Sequence, residues 1–245
     1  MGESEKAEVT PEDFLARALR AKTPEARGRY ARRGLATRRG LDRTTQAMLL
    51  RQLYLSHYEA RKFQKAEEIA LQALELEVLP DVLHQDVARA AIARGELEIG
   101  LEHLRKAARK GPASRRPFHW WTLGSTLFMA KRYEEAASAL ERAIRWGTRD
   151  RPLYRAHLGL VRVAMGQPVV GLQELVNELV ESACGQGYGR FILGHLAYVG
   201  GAWPAARKYL DGFVKKIESS RPSIAIALEA EVEMAKATLL KISAN

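Results

Sequence analysis

The residues best suited to proton transfer, metal binding or nucleophilic attack in this chain are six histidines and one cysteine. His57, His84, His103, His119, His157 and His195 are spread along the sequence. None forms an H-x3-H pair, and none stands beside Cys184 at the spacing of a zinc site. Cys184 has no neighbouring base in sequence to make it a nucleophile, and a lone cysteine closes no internal disulfide. The stretch Gly185-Gln186-Gly187-Tyr188-Gly189 precedes a helical segment, where free backbone N–H groups can hold an anion. It lacks the Lys-Ser/Thr of a phosphate loop and the preceding strand of a dinucleotide site, so it reads as a flexible connector. No catalytic residue, metal ligand or cofactor is assigned, and the expectation is a protein that is not an enzyme.

The charge is more informative. The formal net charge is +10, with an isoelectric point near 9.8. Apolar residues make up 47% of the chain and charged ones 28%, which is too apolar for disorder. Ten basic residues fall between Arg17 and Arg43, opposed only by Glu25 and Asp42. Arg29, Arg32 and Arg33 share one helical face, and Arg38 and Arg39 follow at its end. Such a stripe suits an acidic protein surface, nucleic acid or an acidic membrane surface. Phe14 and Tyr30 are its only aromatics, which provides no stacking row for single-stranded nucleic acid. The polar start MGESEKAEVTPEDF has no apolar core of a signal peptide, and Lys6 stands where a myristoylation motif after Gly2 wants Ser or Thr. No apolar run reaches membrane-spanning length. A cytoplasmic protein without a transmembrane segment is expected.

What positions these residues is a repeat. Trp120, Leu123, Gly124 and Leu127 are followed by Tyr133, Ala136, Leu140 and Ala143. Small residues such as Gly124 and Ala136 let two antiparallel helices approach, and large ones three or four positions away fill the space around the contact. The pattern resembles the tetratricopeptide repeat (TPR) family, W-x2-L-G-x2-Y followed by Y-x2-A-x3-F-x2-A. Equivalents of Ala136 recur at Ala66, Gly100, Gly171 and Ala206, at intervals of 34 to 36 residues. The resemblance implies an all-α fold, a right-handed α-solenoid of antiparallel helical hairpins, with about thirteen helices in all. Residues 1–9 are expected to be a disordered tail and 10–245 a single solenoid. Within it, 10–40 is a degenerate basic hairpin, 42–217 holds five TPR units and 222–242 is a C-terminal capping helix. Thr10 before Pro11 and Thr23 before Pro24 are placed to cap the first two helices.

The first helix of each such hairpin has one stripe for packing and another facing the inner groove. Here the second stripe is apolar. Beside Trp120, Leu123 and Leu127 run Phe118, Trp121, Phe128 and Met129. A later unit adds Tyr188, Phe191, His195 and Tyr198, with Leu160 between them and Tyr58 earlier. A helix apolar on both sides is either buried or awaits a partner. These ten residues are the candidate groove for another protein's amphipathic helix or apolar segment. A second copy of the chain, its own terminus and plain packing are the other occupants, so a homo-oligomer stays open. Some TPR proteins grip a terminal carboxylate with lysines and asparagines. Only Arg51, Gln85 and Arg89 offer polar groups on the corresponding face here, which disfavours that ligand. The functional expectation is a protein-interaction scaffold or adaptor, with nucleic-acid binding by the basic hairpin and self-association as alternatives.

Overall fold

The computed structural model describes residues 9–37 and 40–244. All of the expected disordered tail except Val9 therefore lies outside the described residues, as do Arg38 and Arg39. Among the described residues there are fourteen α-helices, one 3-10 turn and no strand. Packing separates two compact units where the sequence suggested one array, and the division falls between His103 and Leu104.

Unit 1 contains α1 (Pro11–Arg20), α2 (Pro24–Ala36), α3 (Arg43–Glu59), α4 (Phe63–Leu74), α5 (Pro80–Ala93) and the start of α6 (Leu97–Lys110). Each of α1 to α5 packs on the helix that follows or precedes it. The expected caps are present. The Thr10 hydroxyl accepts from the Asp13 N–H at 3.3 Å while the Asp13 carboxylate accepts from the Thr10 N–H at 3.0 Å, a reciprocal box. Thr23 accepts from Ala26 N–H at 3.2 Å. Unit 2 continues from α6 through α7 (Arg116–Met129), α8 (Tyr133–Trp146), α9 (Arg151–Ala164) and α10 (Leu172–Glu181). It then passes a 3-10 turn (Ala183–Gly185) into α11 (Tyr188–Val199), α12 (Trp203–Glu218), α13 (Pro222–Ala227) and α14 (Glu229–Ser243).

The repeat is written in the backbone as well as in the side chains. Each of five helix-to-helix turns has one residue in the left-handed region: Arg61 (φ 55°), Gly95 (86°), Lys131 (59°), Gly166 (70°) and Gly201 (72°). The next N–H then reaches back five residues, Lys62 to His57, Glu96 to Ala91, Arg132 to Leu127, Gln167 to Arg162 and Ala202 to Ala197, each at 2.9 Å. This is the Schellman closure of a helix C-terminus, and it satisfies carbonyls that would otherwise be orphaned. It recurs five residues before every small anchor, in step with the sequence repeat.

Small residues allow the close helix approach the pattern demands. A Cβ at Gly124 would lie 2.8 Å from Leu140, and one at Gly194 would lie 2.5 Å from Leu210. The fourth hairpin departs from the plan. Gly171, expected inside the second helix, is instead the left-handed residue before α10, at φ 71°. In the other four hairpins the second helix begins three residues before its anchor; here it begins one residue after. The sequence Pro168-Val169-Val170-Gly171 explains the delay, since two β-branched residues and a glycine form a poor first turn. The looser contact at Gly159, where a Cβ would still have 3.4 Å to Leu175, follows from it.

Two further expectations change. The connector at 185–189 is tightly packed: a Cβ on Gly185 would fall 2.1 Å from the Leu179 carbonyl oxygen, and one on Gly189 2.4 Å from that of Cys184. Gly185 and Gly189 serve close backbone approach, while Gly187, with open space around it, supplies a positive φ of 64°. The capping helix expected over 222–242 is two helices, because the backbone opens at Leu228 (φ −117°, ψ 20°). Both pieces contact α12, and α14 also packs on α11. No helix of the described residues is long and apolar enough to cross a membrane.

Candidate functional site

The basic stripe is assembled by α1 and α2. Arg29, Arg32 and Arg33 are all exposed, with Arg17 and Arg20 exposed on the neighbouring helix. Arg27, one position out of phase, turns inward and pairs with Glu59 on α3. That pair secures α2 and leaves its remaining arginines to solvent. The stripe is thus a free cationic face on a fixed support. Arg51 and Arg89 are not free in the same sense. Both approach the buried Asp86 carboxylate, at 2.6 Å and 3.5 Å, so the two arginines compensate an internal charge.

The aromatic row does not line an open groove. Phe128, Leu160, Phe191 and His195 in unit 2, and Tyr58 in unit 1, are all at most 4% exposed. Phe191 packs against His195 at 4.5 Å between ring centres and against Phe213 at 5.3 Å. Phe128 meets His157 at 5.3 Å, and Tyr58 stacks on Tyr54 at 5.6 Å. These side chains regain the free energy of leaving water from each other, so they are core and not partner contacts. Trp121, Tyr188, Met129 and Tyr198 are half-buried, and only Phe118, at 40%, stays largely exposed.

A polar thread runs through this cluster. The Trp121 indole N–H donates to His157 Nδ1 at 3.2 Å. His157 must therefore carry its proton on Nε2, which is buried without a partner. Burial pushes its pKa down to about 3, and protonating Nδ1 would also turn an acceptor against a donor. His195 is lowered to about 4 for the same first reason. Tyr188 donates to Glu231 of α14 at 3.2 Å, and its hydroxyl lies 2.6 Å from that of Ser125 on α7. Burial raises the Glu231 carboxyl to about 7, with the hydrogen bonds pulling weakly the other way. The row's other side is thus partly closed by the chain's own C-terminal helix.

His84 and His103, distant in sequence, meet with their Nδ1 atoms 3.1 Å apart. Among the described residues no three His, Cys, Asp or Glu side chains gather as a metal site would require. Cys184 is half-buried, with the Ser182 hydroxyl 3.1 Å from its sulfur.

A surface that the sequence reading passed over lies on α6, α7 and α8 of unit 2. A groove of about 250 Å³ has Trp120, Leu123, Leu127 and Ala139 as its apolar lining and Arg105, Arg109, Arg142 and Glu135 as its charged lining. A second depression of about 460 Å³ adjoins it across Trp120 and Arg142 and ends at Trp146, which is 58% exposed. The Arg142 guanidinium sits over the Trp120 ring at 4.6 Å. The signal was present in sequence: a tryptophan in the last turn of α8, beyond the apolar spacing of its core face, with Arg142 and Arg145 beside it.

No protein-family model matches the chain, and no curated protein does either. The fold has a counterpart among solved structures. The structure of Pseudomonas aeruginosa PilF, from its functional characterization, aligns over 82% of this chain and 90% of its own, with a TM-score of 0.55 and 23% identity. Together with the hairpin packing, the likeness makes the fold TPR-like: all-α, of the α-solenoid class.

Proposed function

We propose that the chain is a non-catalytic scaffold that holds another protein, and that the arginine face of α1 and α2 is one of its contact surfaces. The observation that carries this reading is the sorting of arginines on α2. Arg27 is spent on an internal ion pair, while Arg29, Arg32 and Arg33 face solvent together. A like-charged stripe on a rigid helix repels itself and gains from an acidic surface laid against it. The TPR-like hairpins below it supply a support whose units pack only on their neighbours, as in interaction arrays generally. Nucleic acid is the second reading, since the same stripe would neutralise phosphates. Its scarcity of exposed aromatics favours protein.

The test is affinity capture from lysate, with and without nuclease treatment, by the wild-type chain and by a variant with Arg29, Arg32 and Arg33 changed to Glu. The expected result is a protein retained by the first and lost by the second, with both equally folded by circular dichroism. Capture that vanishes on nuclease treatment supports the nucleic-acid reading. A protein retained equally by both forms removes the arginine face from the account.

A further inference from the structure

We propose that the groove between α6, α7 and α8 is a second docking site, built for an acidic peptide segment that carries one large apolar side chain. The anchor would enter the pit floored by Trp120, Leu123, Leu127 and Ala139, and flanking carboxylates would meet the rim. The first argument is charge bookkeeping. Arg105 is matched by Glu135 at 3.1 Å, and Glu135 also takes Arg132 at 2.5 Å. Glu141 is within 3.6 Å of Arg162. Arg109, Arg142 and Arg145 then remain, with no carboxylate pairing to them among the described residues. Arg109 donates to the Arg105 carbonyl at 3.3 Å, and Arg142 lies on the Trp120 ring. Arg109 and Arg142 beside the apolar floor, with Arg145 on the adjoining depression, select for negative charge beside an apolar group.

The second argument is exposure. Trp146 leaves most of its indole in water at the end of α8, and the pit beside it is uncovered. Tryptophan and arginine are the residues that most often carry binding energy at protein contacts. The pit, at about 250 Å³, has room for a side chain.

Single-stranded nucleic acid is the rival occupant, and the geometry disfavours it. A run of bases needs several free aromatic faces in a row, and with Arg142 lying on the Trp120 ring the two depressions present only the exposed Trp146 indole. Glu135 and Glu141 stand on the two depressions, where a phosphate chain would have to pass. Self-repulsion with those carboxylates is avoided by a short segment whose acidic residues sit only at the arginine side.

The experiment measures anisotropy of a fluorescein-labelled dodecapeptide with one central Phe, Glu and Asp on one side of it and Ser and Gln on the other, titrated with the full chain. Controls are the same peptide with Phe changed to Ser, a Ser/Gln peptide keeping the Phe, and a thymidine oligonucleotide. The acidic anchored peptide is expected to bind about tenfold tighter than either peptide control, a loss characteristic of removing one anchor. R142E, and separately R145E with Trp146→Ser, should each weaken it about tenfold while the melting curve holds. The variant carrying Glu at 29, 32 and 33 should bind it as the wild type does. Three results overturn the proposal: equal binding of the Phe-less peptide, binding unchanged in both groove variants, or tighter binding of the oligonucleotide that R142E abolishes. Loss of binding only in the α2 variant assigns the peptide to the other face and equally defeats the groove.

Discussion

The polar thread through the aromatic cluster makes the stability of unit 2 depend on pH in a calculable way. His157 titrates at about 3 in the folded protein and His195 at about 4, against 6.5 when unfolded. Both folded values are depressed, so the unfolded chain takes up two extra protons as pH falls below 6.5 and stability is lost in that direction. Glu231 acts oppositely. Its folded value near 7 exceeds the ordinary 4.5, so the unfolded chain gives up its proton first, and stability falls as pH rises from about 4.5 to about 7. Between those limits the two histidines outweigh the one carboxyl by one proton. The contribution of these three groups should therefore rise by about 1.4 kcal/mol per pH unit from about 4.5 up to 6.5, then decline slightly to 7.

Glu231→Gln isolates one member of the set. It keeps an acceptor for the Tyr188 hydroxyl and removes the carboxyl titration. The difference between variant and wild type should then grow by about 3 kcal/mol in favour of the variant from pH 4.5 to pH 7, because every other titrating group cancels. All four tryptophans lie in unit 2, so indole fluorescence during urea unfolding follows that unit alone. A difference that stays level with pH would show that Glu231 is not held protonated. One that grows in favour of wild type would show a stabilised carboxylate, and the derivation would be wrong in sign.

Three further outcomes follow from the packing. Phe191→Ala and Phe128→Ala should each cost about 3–5 kcal/mol in urea unfolding, as core truncations do; a loss under 1 kcal/mol would return these residues to an accessible groove. Gly194→Ala should destabilise by about 1–3 kcal/mol despite alanine's better helix propensity, because its methyl would meet Leu210 at 2.5 Å, whereas Gly159→Ala, with 3.4 Å to Leu175, should be neutral or better. Gly95→Ala should cost about 1 kcal/mol from backbone strain alone, since nothing lies within 4 Å of the new methyl, and Lys131→Gly at the equivalent turn should be stabilising; thermal melts of the pair decide it.

The hairpins were legible because their determinants are local. The spacing of Leu123, Gly124 and Leu127 sets one helix face, and the turn five residues before Ala136 closes by hydrogen bonds within six residues. Thr10 and Thr23 announced their helices in the same short-range way. Gly171 misled for an equally local reason, since the small residue that fits a close helix contact also fits a left-handed turn. The break at Leu228 had no signal, lacking proline or glycine. The site was harder to read, because whether an apolar stripe is covered depends on residues far along the chain. Ser125 meets Tyr188 at a separation of 63 residues, and Tyr188 meets Glu231 at 43.

The adjacent tryptophans make the point concrete. Successive helical positions point about 100° apart, so Trp120 and Trp121 must face different surroundings. Trp121 turns towards α9 and α11, where His157 accepts its N–H and Tyr188 packs edge-on at 4.9 Å. Trp120 turns towards α8, where Arg142 lies over its half-buried ring. The indole that matched the repeat pattern was assigned to packing, and the one outside the pattern to a ligand. In the structure both indoles are half-buried, and the cover over Trp121 comes from far along the chain, from His157 of α9 and Tyr188 of α11. An off-pattern aromatic early in such an array is thus a demand for cover that later repeats can meet. An on-pattern one is only half-covered when the neighbouring helices present arginines in place of leucines, as α6 and α8 do with Arg109 and Arg142.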